Sequence, residues 1–315
     1  MEGFCMKKVL SLVLAICLTA GAVIAAPVTG FAVDVNNLKA KAAISGGFFN
    51  GVLLEDNSLW MWGQNPFLGT DSGDNEEYRE QTYPIKIMDD IKMASGGRAH
   101  TLAIKNNGDL YAFGIYGGLG LADIVGTETS KWDGDEPGLY TPTKIMENIK
   151  YVDAGGGGSC AITNSGALYL WGENFSSEGE STKSPQKVMD NVICATIGRG
   201  YYLAVKDDYT LWGWGDNSYG QLGCGNIEPQ LEPIKIMDDV MYVDTDNWGW
   251  SSVAAIKKDG SLWTWGLNDY GHLGNGVTSN KVWLGQIKTD NSLTNEEVST
   301  LQEILDKTAT LIEKS

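Results

Sequence analysis

Histidine, proline and cysteine are scarce in this chain of 315 residues, and each scarcity excludes a class of protein. The 2 histidines are too few for most histidine-ligated zinc sites and for most catalysis that pairs histidine with serine or cysteine. Proline is low at 8, and glycine shows no three-residue period, which excludes a collagen-like chain. The 5 cysteines contain no Cys-x-x-Cys pair, so no redox or metal-binding cysteine motif is present.

Basic residues are also in short supply. Lysine and arginine number 23 against 40 aspartates and glutamates, and the formal net charge is -17. The phosphates of nucleic acids and the headgroups of anionic lipids would be repelled by such a surface. We therefore expect no nucleic-acid partner, and we expect electrostatic steering to favour a basic protein partner.

Long apolar runs are missing except near the N-terminus. Lys7 and Lys8 precede an apolar stretch over residues 9–26, and Gly30 and Ala32 are small residues placed where a signal peptidase reads them. We expect residues 1–32 to be a signal peptide, so that the mature chain is secreted or held at the cell surface without membrane insertion. A retained membrane anchor is the alternative, because about 18 apolar residues are close to the minimum for a span.

Three cysteines follow the predicted signal peptide: Cys160, Cys194 and Cys224. Cys160 and Cys194 lie in apolar, strand-like segments, and we expect both to be buried as small hydrophobic residues. An odd number of cysteines cannot be fully paired within one chain, so a single disulfide among the three stays open.

Glycine and tryptophan are abundant, with 40 glycines and with 11 tryptophans against 7 phenylalanines. They recur in internal repeats, which decide the fold. A Leu-aromatic-x-aromatic-Gly segment occurs five times, and a Pro-x-Lys-[Ile/Val]-Met segment occurs four times. The first begins at Leu59, Leu110, Leu168, Leu211 and Leu262, and the second at Pro84, Pro142, Pro185 and Pro233.

Each repeat unit predicts four short strands joined by tight turns such as Asn107-Gly108. In the third unit the strands are predicted at Ile149–Ala154, Ser159–Thr163, Ala167–Trp171 and Gln186–Met189. Four-stranded units of this length are typical of β-propeller blades. The predicted fold is therefore all-β, a β-propeller of four-stranded blades over residues 33–288. Five repeats are recognisable, more blades are possible if degenerate units exist, and a solenoid is the alternative.

Residues 289–315 differ in character from the repeats. Thr294 to Glu297 can form a capping box, and apolar residues follow at near-helical spacing. These apolar residues are Val298, Leu301, Ile304, Leu305 and Ile312. We expect one C-terminal α-helix, which either packs on the propeller as a tail or connects it to something else.

Two loop motifs and one strand-turn motif carry a family resemblance. Trp214–Gly223 and Trp265–Gly274 begin with Trp-Gly and end with Gly-[Gln/His]-Leu-Gly, and Gly96–Gly114 reads Gly-Gly-x-x-His-x-Leu-Ala-Ile…Asn-Gly-x-Leu-Tyr-x-Phe-Gly. These motifs resemble the regulator of chromosome condensation (α-tubulin suppressor-like) repeat family, here of an exported bacterial type. The resemblance implies a propeller, typically of seven blades, that binds other proteins through loops on one face. An exported bacterial relative of this type inhibits a β-lactamase.

The chain departs from the family pattern in two respects besides its predicted export. It has five clear repeats, and units 1 and 3 lack the Gly-Gln-Leu-Gly ending.

Candidate partner-binding residues occupy the turn between the first and second strands of each unit. A glycine-rich frame repeats there, while variable positions hold aromatic residues or arginine, the residue types of protein hot spots and, for the aromatics, of sugar stacking. The long loops of units 1 and 2 add further aromatics. Together the predicted contacts are Phe48, Phe49, Arg98, Arg199, Tyr201, Trp248, Trp250, Tyr78, Tyr116 and Trp132. The alternative for each ring is that it fills the centre of the propeller.

No catalytic residue, metal site or cofactor is predicted. His100 lies in one of these turns, aligned with Asn50, Ser159, Tyr201 and Ser252, and we expect it to form a structural hydrogen bond. The acidic loops near residues 71–77 and 133–136 lack the spacing of a calcium-binding loop, and nothing places two acids across a cleft for glycoside hydrolysis.

The sequence favours an exported, non-enzymatic propeller that binds a protein partner, with inhibition of an extracellular enzyme such as a β-lactamase as one outcome. A lectin-like module that binds glycan or cell wall is the main alternative. A structural repeat of a larger surface assembly is another.

Overall fold

The computed structural model describes residues 39–64, 67–70, 80–115, 119, 138–172, 182–246, 251–274, 278 and 287–288. These residues form five antiparallel sheets of four strands each, and no α-helix occurs among them. Each sheet is a meander in which strands that follow one another in the chain are neighbours. The predicted all-β propeller of four-stranded blades, with five repeats, is confirmed.

The blades follow the repeat units. Blade 1 contains β1 to β4, blade 2 β5 to β8, blade 3 β9 to β12, blade 4 β13 to β16 and blade 5 β17 to β20. In chain order the strands are Ala40–Ser45, Phe49–Leu54, Leu59–Gln64, Glu80–Met88, Ile91–Gly96, His100–Lys105, Leu110–Ile115, Gly138–Met146, Ile149–Gly155, Gly158–Thr163, Leu168–Gly172, Thr182–Met189, Val192–Ile197, Tyr201–Lys206, Leu211–Gly215, Gln230–Met237, Val240–Thr245, Ser252–Lys257, Leu262–Gly266 and Ile287–Lys288. The strands predicted for the third unit agree with β9 to β12 apart from their ends.

The hydrophobic core lies between the blades. Successive residues of a strand point to opposite faces of its sheet, so each blade has one face toward the preceding blade and one toward the following blade. Leu102 and Ile104 of blade 2 pack in one buried cluster with Val152 and Trp171 of blade 3. We call the face toward the following blade the trailing face and the other the leading face.

The turns between second and third strands explain a recurring tryptophan. In blade 1 the Asp56 carboxylate accepts hydrogen bonds from Ser58 N (2.9 Å) and Ser58 Oγ (2.6 Å), and Ser58 Oγ accepts from Trp60 Nε1 (2.8 Å). The hydrogen bonds from Ser58 lower the pKa of Asp56. The same three-residue arrangement recurs at Asp208, Thr210 and Trp212 and at Asp259, Ser261 and Trp263.

The Asp-Asp pairs after the Ile-Met segments, Asp89-Asp90 and Asp238-Asp239, form turns between blades. Asp90 and Asp239 adopt left-handed backbone conformations, with φ of 66° and 63°, which aspartate and asparagine tolerate better than most residues. The Asp90 carbonyl accepts a hydrogen bond from Asn106 N of blade 2 (3.0 Å), and the Asp239 carbonyl accepts from Lys258 N of blade 5 (2.8 Å). Each connection is therefore fixed to the blade that it enters.

The two ends of the row of blades differ from its interior. The leading face of blade 1 presents Asn50, Val52 and Trp62, of which Asn50 is exposed and the other two are half-buried. On the trailing face of blade 5, Ile256 is half-buried and Leu262 is exposed. We call these two surfaces the end faces.

Several predictions concern residues outside this part of the chain. The predicted signal peptide (1–32) and C-terminal helix (within 289–315) lie outside the described residues. Among the described residues, no helix combines the length and the hydropathy of a membrane span. Cys160 and Cys194 are buried, as predicted, Cys224 is half-buried, and no disulfide joins the three.

Candidate functional site: the loop face

One surface carries both the turn between strands 1 and 2 and the loop between strands 3 and 4 of each blade. In blade 1, Gln64 N at the start of the long loop donates to the Phe48 carbonyl in the short turn (3.0 Å). Neighbouring turns are joined as well, since Arg98 N of blade 2 donates to the Gly156 carbonyl of blade 3 (2.9 Å). We call this surface the loop face, and its described turns lie on one side of the row of blades.

Two of the predicted contact residues are buried between blades. Phe49 is 2% exposed and Tyr201 is 0% exposed. The ring of Phe49 lies against Gly96 of blade 2, and the Tyr201 hydroxyl hydrogen-bonds the Thr245 hydroxyl of blade 5. The prediction that these two rings meet a partner is therefore corrected: they fill space between neighbouring blades, whereas the alternative drawn from the sequence had placed such rings at the centre of the propeller.

The strand register also corrects the alignment of His100. His100 pairs with Gly114 of its third strand, as Phe49 does with Gly63. The residues in the position of His100 are therefore Phe49, Gly158, Tyr201 and Ser252, whereas Asn50 and Ser159 lie one residue further along.

A glycine three residues before the ring makes room for it. A Cβ atom at Gly97 would overlap the His100 ring, and one at Gly198 would overlap the Tyr201 ring. The short turn of blades 1, 2 and 4 thus reads Gly-x-x-ring, which is a signal that the sequence itself contains.

His100 joins two blades rather than bracing its own turn. It is 0% exposed, and its Nε2 lies 2.9 Å from Ser159 Oγ of blade 3. Burial lowers the pKa of His100 to about 4, partly opposed by the backbone of Gly158. The imidazole is therefore neutral near neutral pH, and its geometry is the structural hydrogen bond that the sequence predicts.

Other predicted contacts keep an accessible position. Arg98 and Arg199 are exposed at the tips of their turns. Phe48 is half-buried and stacks on Phe67, with ring centroids 5.1 Å apart. The partner-binding role of these side chains stays a prediction. Trp248, Trp250, Tyr78, Tyr116 and Trp132 lie outside the described residues.

The long loop of blade 4 is a rigid, hydrogen-bonded structure. Asn217 Oδ1 accepts from Leu222 N (3.0 Å), and Asn217 Nδ2 donates to the Asn226 carbonyl (2.8 Å). Gln221 Oε1 accepts from Tyr219 N (2.8 Å), and the carbonyl of Gln221 accepts from Trp265 Nε1 of blade 5 (2.8 Å). Asn217, Gln221 and Leu222 are 0% exposed, so the hydrogen-bonded interior of this loop is buried. We call these three residues and their hydrogen bonds the frame of the loop.

Two tyrosines project from this frame on adjacent blades. Tyr219 is 42% exposed and Tyr270, at the same place in the loop of blade 5, is 70% exposed. The blade 5 loop repeats the frame, since Asn268 Oδ1 accepts from Leu273 N (3.1 Å). Ile227 of the blade 4 loop adds an apolar side chain that is 44% exposed. We call Tyr219, Ile227 and Tyr270 the tyrosine patch.

The tyrosine patch was missed by the sequence analysis, although its loops were recognised. The tyrosines stand between the buried asparagine and the glycine of the motif, at Asn217-Ser218-Tyr219-Gly220 and Asn268-Asp269-Tyr270-Gly271. An aromatic residue that stands between two buried residues of a turn must point outward, because the interior of the turn has no room for its ring. This pattern is a signal that the sequence contains.

Unit 1 has a counterpart of the Gln-Leu-Gly ending that it appeared to lack. Gly69 lies against the Phe113 ring of blade 2, as Gly223 lies against the Trp265 ring of blade 5, and both glycines have positive φ (74° and 68°). Leu68 before Gly69 is 0% exposed. Phe67-Leu68-Gly69 therefore takes the place of Gln221-Leu222-Gly223.

A row of polar side chains crosses the first strands of the blades, and the sequence analysis did not find it. Asp153 of blade 3 is 0% exposed and accepts hydrogen bonds from Ser95 Oγ of blade 2 (3.1 Å) and Thr196 Oγ1 of blade 4 (3.0 Å). Thr196 Oγ1 also lies 3.4 Å from Asp244 Oδ1 of blade 5. No group of three or more metal-ligating side chains occurs among the described residues, and we assign this row to structure.

Comparisons with known proteins agree with this architecture. The model of the regulator of chromosome condensation (RCC1) repeat matches residues 210–244 and 259–287, which include both tyrosine-bearing loops. The Ultraviolet-B receptor UVR8 of Arabidopsis thaliana is 32% identical over 232 residues, which are 70% of this chain and 40% of the receptor. The mitochondrial RCC1 domain-containing protein RUG3 of Arabidopsis thaliana is 25% identical over 78% of this chain and 46% of its own length. The chain thus spans less than half of either relative.

Solved structures show the same fold. Human WBSCR16 aligns with a TM-score of 0.66 at 20% identity, over 83% of this chain and 70% of that one. Yeast RCC1 (Prp20), crystallised bound to Kap60, aligns with a TM-score of 0.64 at 16% identity, over 86% of this chain and 70% of that one. The chain therefore shares the β-propeller fold of these structures, and residues 210–244 and 259–287 of blades 4 and 5 are similar to the regulator of chromosome condensation (RCC1) repeat.

Proposed function

We propose that this protein is a non-enzymatic binding module that takes a protein partner on the loop face, at the tyrosine patch of blades 4 and 5. The observation that supports it most is the pair of exposed tyrosines, at equivalent places of two loops that are each held by a buried asparagine accepting a backbone hydrogen bond. Tyrosine brings a large contact area at a small cost in side-chain entropy and is enriched among binding hot spots. Because the frame is rigid, little further ordering is needed on binding.

The charges around the patch favour a basic partner. Glu228 is exposed beside Ile227, and Asp216 and Asp269 are half-buried in the two loops. Arg199 is an exposed cation of the neighbouring turn. With a formal net charge of -17 over the whole chain, long-range steering would raise the association rate with a positively charged protein and would weaken with salt.

The proposal also concerns the cellular location of the protein. Residues 1–32 carry the pattern of a signal peptide, and we propose that the protein acts outside the cytoplasm. Inhibition of an extracellular enzyme is one form that such binding would take, and a β-lactamase is a specific candidate.

The test captures partners with the full chain as bait from the extracellular and envelope proteins of the source cell, and then titrates each purified protein against variants. We expect Tyr219→Ala/Tyr270→Ala to weaken binding at least tenfold. The matched control is Tyr83→Ala/Leu231→Ala, which removes two side chains that are 60% and 66% exposed on outer strands. The control should bind like the parent.

Two further probes decide between functions. A purified β-lactamase tests inhibition directly. Isolated cell-wall glycan tests the lectin-like alternative, because exposed aromatic rings also stack on sugars. Retention on glycan that free sugar competes away, or equal loss of protein binding in both double variants, would contradict the proposed function.

A further inference from the structure

On the trailing face of blade 5 the side chains around Leu262 are apolar and more exposed than their equivalents in the other blades, whereas Tyr242 and Thr264 of the same face are 7% exposed. Leu262 begins the third strand of blade 5 and is 43% exposed. The residues in its position elsewhere are 0% exposed under the following blade: Leu59, Leu110, Leu168 and Leu211.

The neighbours of Leu262 extend this surface. Ile256, paired with Leu262 across the sheet, is half-buried, and Ala254 beyond it is half-buried as well. The residues in the position of Ile256 are at most 1% exposed in the other blades: Leu53, Ile104, Ile162 and Val205. Removal of such contiguous apolar surface from water is favourable, so a cover for this face would stabilise the blade.

The chain leaves blade 5 next to this surface. Strand β20 ends at Lys288, which pairs with Trp263, the residue after Leu262. Residues 289–315 therefore start at the edge of the exposed apolar surface around Leu262. Five extended residues, 289–293, reach about 16 Å, which is enough to place the following segment anywhere over the sheet.

The sequence of this segment has the pattern of an amphipathic helix, which could pack its apolar side on the sheet. A capping box at Thr294 to Glu297 is followed by Val298, Leu301, Leu305 and Ile312 on one side of a helix. The opposite side carries Ser299, Glu303, Asp306 and Thr310. A helix over residues 296–312 is about 25 Å long, and a four-stranded sheet is about 14 Å across. One such helix is therefore long enough to cross the whole face.

We propose that residues 294–312 form a helix whose apolar stripe packs on the trailing face of blade 5, where it takes the place of a following blade. The occupant is a segment of this chain, delivered to the face by the strand that precedes it. This inference concerns what packs on the trailing face of blade 5 and is independent of the tyrosine patch.

The test measures access to Leu262 in the full chain. Cys224→Ser removes the half-buried native thiol, and a single new cysteine is introduced by Leu262→Cys or, as the exposed reference, by Tyr270→Cys. We expect a soluble maleimide to label the cysteine at 262 at least tenfold more slowly than the one at 270 in the native monomer. Complete labelling of both in urea shows that the thiols themselves are equally reactive.

A second pair of substitutions identifies the cover. Leu301→Asp/Leu305→Asp puts charge into the apolar stripe and should abolish the protection at 262. Ser299→Asp/Thr310→Asp adds the same charge to the opposite side of the helix and should leave it intact. Light scattering on each sample reports whether the protected species is a monomer.

Three results would overturn the proposal. Equal labelling at 262 and 270 would show that the face is open. Protection that appears only in a dimer would assign the cover to a second copy of the chain. Protection in a monomer that survives Leu301→Asp/Leu305→Asp would assign it to another part of the chain.

Discussion

Trp171 and Trp62 occupy the same position of two blades, and their surroundings differ. Trp171 of blade 3 is 0% exposed, because the trailing face of blade 2 covers it. Trp62 of blade 1 faces away from blade 2 and is only half-buried. The repeat supplies an aromatic side chain at every blade, whether or not a preceding blade is there to receive it. Burial in this fold is therefore set by the neighbouring blade, and only the residue type is set by the repeat.

The largest expected effect tests this difference directly. Trp171→Ala should lower the free energy of unfolding by about 3–5 kcal/mol, because it leaves a cavity between two blades. Trp62→Ala should lower it by about 1 kcal/mol or less, because water already reaches the site. Urea denaturation of the full chain measures both. Equal losses for the two variants would show that blade 1 is covered in solution, and the contrast between interior and end faces would fail.

The next effect concerns the interior histidine and pH. The folded state holds the pKa of His100 at about 4, below the ordinary value of 6.5, so the unfolded chain binds the extra proton first as the pH falls. Stability contributed by this group is present above pH 6.5, is lost as the pH falls from 6.5 toward 4, and changes no further below that range. The loss should reach about 3 kcal/mol.

A substitution assigns that pH dependence. His100→Phe gives blade 2 the phenylalanine that blade 1 has at the equivalent position, Phe49. It should remove this part of the pH dependence of the unfolding free energy. His272→Gln, at an exposed position, should leave the parent curve unchanged. If the curve of His100→Phe coincided with that of the parent, the buried neutral imidazole would not be the source.

A smaller loss is expected in the polar row across the first strands. Asp153→Ala removes a buried acceptor of two hydroxyl hydrogen bonds and should lower the free energy of unfolding by about 1.5–3 kcal/mol. Asp207→Ala, at an exposed position on the opposite side from the loop face, should change it by less than about 0.5 kcal/mol. Blade 1 has Ile44 in the position of Asp153, which confines the row to blades 2 to 5. A loss at Asp153 no larger than at Asp207 would mean that the carboxylate is replaceable by water.

The smallest contrast uses the second position of strand 2. Ser159→Ala removes the hydrogen bond to His100 across an interior interface and should cost about 1 kcal/mol. Asn50→Ala, at the same position of the leading end face and exposed, should change stability by less than about 0.5 kcal/mol. Thermal unfolding of both proteins side by side resolves this difference, and a larger effect at Asn50 would reverse the assignment of interior and end.

The fold was predictable because its signals are local and repeated. Five copies of the Leu-aromatic segment, with a tight turn before each, specify strands that pair with their neighbours in the chain. The function of individual aromatics was less predictable. Phe49, Tyr201 and Phe48 share one type of turn, yet the first two are buried and the third is half-buried. The ring three residues after the turn glycine is the buried one, and the sequence analysis did not separate that position from the one before it.

The exposure of the tyrosine patch was equally hard to predict from the sequence. Tyr219 lies within a motif that was recognised for its glycines, and its exposure follows from Asn217 and Gln221, which fill the interior of the loop. The polar row was also beyond the sequence, since Ser95, Asp153 and Thr196 meet only when three blades stand side by side.

By itself, the sequence determined the blade: its four strands, its Asp/Asn turns, its aromatic plug and the number of clear copies. Hydrogen bonds between consecutive strands and short turns depend on residues a few positions apart, so a local pattern is sufficient to specify them. Only the tertiary structure decided which of the repeated side chains are buried, which blades are joined by His100 and Asp153, and which tyrosines face outward. Those outcomes depend on contacts between residues some 40 to 60 positions apart, for example the 59 positions between His100 and Ser159, and on whether a neighbouring blade is present to exclude water.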